Sequence, residues 1–151
     1  MKIEPNNFEK ISGKGLKIGI VVSTWNNQIT KKLYNSAKDI LEQHDVNTKD
    51  ISKIEVPGSF ELIYGAKKMA KNNNIDAIIV FGSIIKGETP HFDFICNAVS
   101  QGIKDLNIIL NKPIIFGVLT DLNINQAIER SSGKKNKGIE CAIAAIKMAK
   151  I

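Results

Sequence analysis

Cysteine is nearly absent from this chain. Cys96 and Cys141 are too few and too far apart for a disulfide framework or a zinc site, and both fall in helix-like patterns, so they read as free, mostly buried thiols. Long apolar runs are missing too. No stretch approaches the ~20 residues a membrane helix needs, and residues 1–7 carry no signal-peptide apolar region. The expectation is a soluble, cytoplasmic protein without a membrane partner. Aromatic residues make up 6% of the chain, with a single tryptophan, and the basic residues come as scattered pairs such as Lys31-Lys32, Lys67-Lys68 and Lys134-Lys135. A formal net charge of +6 without a concentrated basic patch or interleaved aromatics argues against a nucleic-acid partner. It fits an acidic small substrate or simply a lysine-rich surface. Glycine-rich nucleotide loops, Walker spacing, zinc spacing, internal repeats and low-complexity segments are also missing.

What remains is a chain of 151 residues, 43% apolar, enough for one domain with a substantial core and too short for two of ordinary size. Three short runs, over residues 18–22, 77–82 and 114–119, are rich in Ile and Val and do not alternate. Strands of that kind are buried on both faces, which implies parallel pairing with helices above and below. A weaker run over 51–56 alternates and suits an edge strand. Between the runs, apolar residues recur at helical spacing: Ile29, Leu33, Ala37, Ile40; Leu62, Ala66, Met69; Ile95, Val99, Gly102, Leu106, Leu110; and Ile139, Ile143, Ile146. Alternating strands and helices predict a doubly wound α/β domain over 17–151. Residues 1–16 are polar, fit no helix, and read as an N-terminal arm. Right-handed crossovers bring the loops at 23–26, 57–61, 86–91 and 120–123 to one rim of the sheet, where open parallel sheets bind ligands.

Several residues on that rim can carry chemistry. Trp25 offers an indole face to a flat heteroaromatic ligand, or packs in a core or interface. Ser59 and Glu61 lie in a turn entering a helix, able to bind a polyol or to serve that helix as a cap. His91 follows Gly87-Glu88-Thr89-Pro90, a loop that can turn N–H groups toward an anion beside a group exchanging protons near neutral pH, or it merely begins a helix. His44, beside Asp45 at the end of a helical pattern, reads as a partner of the helix dipole. Arg130 is the only arginine among 21 basic residues. An arginine in a lysine-rich chain marks a place for the planar fork that grips phosphate, or a surface ion pair with Glu129 or another carboxylate.

Taken in order, the blocks Ser23-Thr24-Trp25-Asn26, Val56-Pro57-Gly58-Ser59-Phe60-Glu61-Leu62, Gly87-Glu88-Thr89-Pro90-His91-Phe92-Asp93-Phe94, Phe116-Gly117-Val118-Leu119-Thr120, Gln126-Ala127-Ile128-Glu129-Arg130 and Asn136-Lys137-Gly138 resemble the lumazine synthase family. The resemblance runs from about Gly19 to Met148. It implies a three-layer αβα sandwich with a mainly parallel, flavodoxin-like sheet of four strands. It also implies a condensation, without metal or cofactor, of 5-amino-6-(D-ribitylamino)uracil with 3,4-dihydroxy-2-butanone 4-phosphate. The products are 6,7-dimethyl-8-ribityllumazine, phosphate and water, the penultimate step of riboflavin biosynthesis. In the family's terms Trp25 stacks on the ring, Ser59 and Glu61 take the ribityl chain, and the backbone at Ile84 and Ile85 meets the pyrimidine edge. Glu88 and Thr89 contact the phosphate, and His91 shuttles protons. Phe116, Arg130 and Lys137 come from a neighbouring subunit, Arg130 as the catalytic phosphate ligand. The implied assembly is a homopentamer, closed in many members into a sixty-subunit shell, with riboflavin synthase raised as a partner. The arm at 1–16 would add a strand to a neighbour's sheet edge. Three departures stand out: Lys86 where arginine is common, Trp25 where phenylalanine is frequent, and a stretch from Arg130 to Lys137 one residue short. The rival reading, a flavin- or lumazine-binding module or shell protein without turnover, shares the pocket but has no need of His91 and Arg130 together.

Overall fold

The computed structural model describes residues 11–151. Its strands are β1 (Ile18–Ser23), β2 (Ile51–Val56), β3 (Ala77–Ile85) and β4 (Ile114–Asp121), and its helices α1 (Asn27–Gln43), α2 (Leu62–Met69), α3 (His91–Ile109), α4 (Ile124–Arg130) and α5 (Lys137–Ala149). All strand pairs are parallel in the order β2-β1-β3-β4, the flavodoxin-like order expected of a doubly wound sheet. Every residue of β1 and the first seven of β3 are buried, which is why those runs show no alternation, whereas β2, at the edge, has no fully buried residue and leaves Ser52, Lys53 and Glu55 exposed.

Side chains alternate across the sheet and feed two apolar layers. Ile18, Ile20, Val22, Ile79, Phe81 and Leu119 pack against α1 and α5; Val21, Ile78, Val80 and Val118 pack against α2 and α3. The helical faces differ from the predicted ones in single positions. α1 buries Leu41 where Ile40 was expected and α3 buries Ile103 beside Gly102, each a neighbour on the same broad stripe. α1 ends in a Schellman arrangement: Val46 N–H donates to Leu41 O at 3.0 Å, Asp45 N–H to Glu42 O at 3.1 Å, and Asp45 takes the left-handed φ of 70°. His44 sits at that helix end, its Nδ1 2.8 Å from Ile11 O, and Gly13 N–H donates to its carbonyl. Residues 11–13 thus sit against the C-terminal end of their own chain's α1; residues 1–10 of the expected arm lie outside the described residues. Among the described residues no helix is long and apolar enough to cross a membrane.

Candidate active site

The chain leaves β1 for β2 and then crosses back to pair β3 on the other side of β1, so the crevice at the strand ends opens between β1 and β3. β3 outruns β1 there. Its last β1 partner is Phe81, yet it stays paired with β4 as far as Asp121, so one edge of residues 82–85 has no strand partner. Asn26 takes part of that edge: its Nδ2 donates to Ser83 O at 2.9 Å. With that amide committed, Asn26 stands before α1 without a side-chain cap bond and in a left-handed conformation, φ 56°, which asparagine tolerates better than most residues.

A cavity of about 500 Å³ opens at this edge, lined by Trp25, Ser59, Glu61, Ile84, Ile85 and His91 together with Asn26, Phe60, Ser83 and Ile95. That size suits a small heterocyclic ligand. Trp25 is held by its backbone, with Trp25 N–H donating to Pro57 O at 2.9 Å, while its side chain stays 66% exposed. The benzo ring of the indole lies against Gly58, where an added Cβ would fall 2.5 Å from Cε3. Gly58 N–H in turn donates to Glu61 Oε2 at 3.0 Å, which fixes the carboxylate at the start of α2. Ser59 makes no cap bond to α2; it is 8% exposed and packs over Gly82, where a Cβ would meet its Oγ at 2.5 Å. Gly82 therefore lets the 57–61 turn close on β3.

His91 is the first residue of α3, exposed, and its N–H approaches Thr89 Oγ1 at 3.4 Å. Glu88 and Thr89 lie exposed on the loop before it, whose base is tied to β4 by Lys86 N–H donating to Asp121 O at 2.9 Å. The structure does not bring Phe116, Arg130 or Lys137 to this cavity. Phe116 borders a separate groove of about 370 Å³ with Ser100, Ile103, Lys104 and Asn107. Arg130, at the end of α4, donates from Nη1 to Asp121 Oδ1 at 3.0 Å, so its carboxylate partner is Asp121 rather than Glu129, which Lys135 engages. Lys137 pairs with Glu140 at 2.9 Å. Sequence reasoning did not single out Asn26, Phe60, Ser83 or Ile95 as cavity-lining residues, nor Asp121 as the partner of Arg130.

Neither cysteine is suited to nucleophilic work. Burial pushes the Cys141 thiol up to about 12, and burial together with Asp93 raises Cys96, so both stay protonated near neutral pH. Among the described residues, no group of three His, Cys, Asp or Glu side chains could hold a metal ion.

The chain matches the family model described as 6,7-dimethyl-8-ribityllumazine synthase over residues 15–151. It is 57% identical over 141 residues to the 6,7-dimethyl-8-ribityllumazine synthase of Flavobacterium johnsoniae, an overlap covering 93% of this chain and 74% of the relative. It is 50% identical over 159 residues to the protein of the same name in Christiangramia forsetii, covering the whole of this chain and 95% of the relative. A match across nearly the full domain, on the parallel α/β fold described above, makes this chain a member of the 6,7-dimethyl-8-ribityllumazine synthase family.

Proposed function

We infer that this chain performs the reaction for which its family is named, forming 6,7-dimethyl-8-ribityllumazine from 5-amino-6-(D-ribitylamino)uracil and 3,4-dihydroxy-2-butanone 4-phosphate. The observation that carries this reading is that Trp25, Ser59, Glu61, Ile84, Ile85 and His91, spread over three loops and a strand, line one cavity. The uracil ring stacks on Trp25 and presents its polar edge to the free backbone edge at Ile84 and Ile85, while Ser59 and Glu61 receive the ribityl hydroxyls. His91, at the mouth of the loop bearing Glu88 and Thr89, moves protons through imine formation, phosphate elimination and ring closure. Holding two substrates in reacting register supplies much of the acceleration.

The remaining residues complete a neighbour's site. Phe116, Arg130 and Lys137 lie off the cavity of their own chain, and exposed apolar side chains, Phe94, Ile108 and Ile109 on α3 with Leu122, Ile124 and Ile128 at α4, offer a surface for subunit contact. The assembly is a cytoplasmic pentamer in which Arg130 and Lys137 bind the phosphate of the butanone substrate and Phe116 closes over the ring. Incubating the purified protein with both substrates and following lumazine absorbance tests the reaction. Appearance of the lumazine with stoichiometric phosphate is expected; ligand binding without product would leave only a binding module.

A further inference from the structure

Arg130 stands at the end of α4 with 43% of its side chain exposed, and Asp121, its partner, ends β4 at 2% exposure. Only one of the carboxylate's oxygens is used. Oδ1 accepts from Arg130 Nη1 at 3.0 Å, and Oδ2 is buried with no partner among the described residues. A buried carboxylate with an unused oxygen is poor material for stability, since one exposed cation does not offset its desolvation. It is well placed for orientation. Asp121 is fixed by its pairing with Ile85 and by Lys86 N–H on its carbonyl. The turn into α4 is fixed as well: Asn123 Oδ1 accepts from Gln126 N–H at 3.0 Å and Gln126 Oε1 from Leu122 N–H at 2.8 Å. Other acidic groups nearby are taken, Glu129 by Lys135 and Glu140 by Lys137.

We propose that Asp121 is a positioning residue for phosphate binding: it holds the Arg130 guanidinium by one N–H at the sheet rim, so that the rest of the planar fork is set in advance to receive phosphate oxygens. A guanidinium has five N–H donors, and the contact with Oδ1 leaves a two-donor edge free for a bidentate grip. An arginine on a flexible stem, 43% exposed, would otherwise sample many rotamers, and each phosphate encounter would have to select one. This inference rests on the reading of Arg130 as the phosphate ligand.

Steady-state kinetics with both substrates, together with competitive inhibition by inorganic phosphate, test it on Asp121→Ala, Asp121→Asn, Arg130→Ala and the Asp121→Ala/Arg130→Ala double variant. Asp121→Ala is expected to raise the KM for the butanone phosphate and the Ki of inorganic phosphate about tenfold, with the KM for the ribityl-uracil unchanged. Asp121→Asn keeps an acceptor for Nη1 and is expected to recover most of that loss. The double variant is expected to bind phosphate no more weakly than Arg130→Ala, because the two residues act as one unit. Asp121→Ser, too short to reach the guanidinium but able to hydrogen-bond locally, should match alanine and serves if the alanine protein is not obtained. Weakened phosphate binding in Arg130→Ala with wild-type binding in Asp121→Ala or Asp121→Ser overturns this proposal and spares the phosphate reading. Wild-type phosphate binding in Arg130→Ala overturns both.

Discussion

His91 illustrates how one residue can satisfy two readings at once: it begins α3, as a structural histidine would, and its side chain also lines the cavity. Because it is exposed on a first helical turn, its imidazole contributes little to the core. His91→Ala is therefore expected to leave folding and lumazine binding nearly unchanged while lowering kcat by the ~10²–10⁴-fold typical of a lost general acid/base. Binding can be followed in the same protein through quenching of Trp25 emission by stacked ligand, and an unchanged kcat at saturating substrates would remove His91 from the chemistry. Trp25, Ser59, Glu61 and His91 were legible in the sequence because they sit in recognisable loops at strand ends. Asn26 and Asp121 were not. Each looks like an ordinary polar loop residue until the register shows Asn26 Nδ2 on Ser83 O and Asp121 beside Ile85.

The elements were easiest to read where burial is complete. β1, β3 and β4 announce themselves through unbroken apolar runs, but β3 continues to Ile85 and β4 to Asp121, past the predicted ends, because ladder bonds accept Ser83 and Thr120 as readily as valine. α4 gave no periodic signal since Ala127 is its only buried residue. The short stretch between α4 and α5 is held instead by Asn136. Its Nδ2 donates to Ser131 O at 2.7 Å and lies 3.3 Å from Lys32 O, and its Oδ1 accepts from Gly138 N–H at 2.8 Å, capping α5. One asparagine thus ties the segment that is a residue short to both α1 and α5, and fixes the interval between Arg130 and Lys137. Asn136→Ala leaves those groups without partners and is expected to destabilise the fold by about 2–3 kcal/mol. Chemical denaturation measures that loss. If the Arg130 to Lys137 interval matters for the phosphate, the KM for the butanone phosphate rises in the same variant; a stability loss with unchanged KM would confine Asn136 to packing.

At the scale of the whole molecule, the residues proposed to complete the cavity are not among those lining it within one chain. Trp25, Ser59, Glu61 and His91 gather at the β1 and β3 ends, whereas Arg130 and Lys137 belong to the α4 and α5 side and Phe116 to the groove beside α3. Under the proposed function Arg130, Lys137 and Phe116 complete the site of a neighbouring chain rather than their own. A ring allows this, because a heterologous contact passes each chain's second set of residues to the next, and a rotation that returns to its start leaves no site unpaired. The exposed Phe94, Ile108 and Ile109 on α3 are the kind of apolar surface such a contact buries. Of the arm proposed at 1–16, the described part is held on its own chain, Gly13 N–H donating to His44 O at the α1 end remote from the cavity. Native mass spectrometry and light scattering of the active protein are expected to find a pentamer, or twelve pentamers closed into a shell. The sharper check mixes two impaired variants, His91→Ala and Arg130→Ala. If sites are shared between neighbours, mixed rings contain some sites with both an intact His91 and an intact Arg130, so activity returns on subunit exchange. A monomer that turns over, or mixed rings that stay impaired after proven exchange, would sink the shared site.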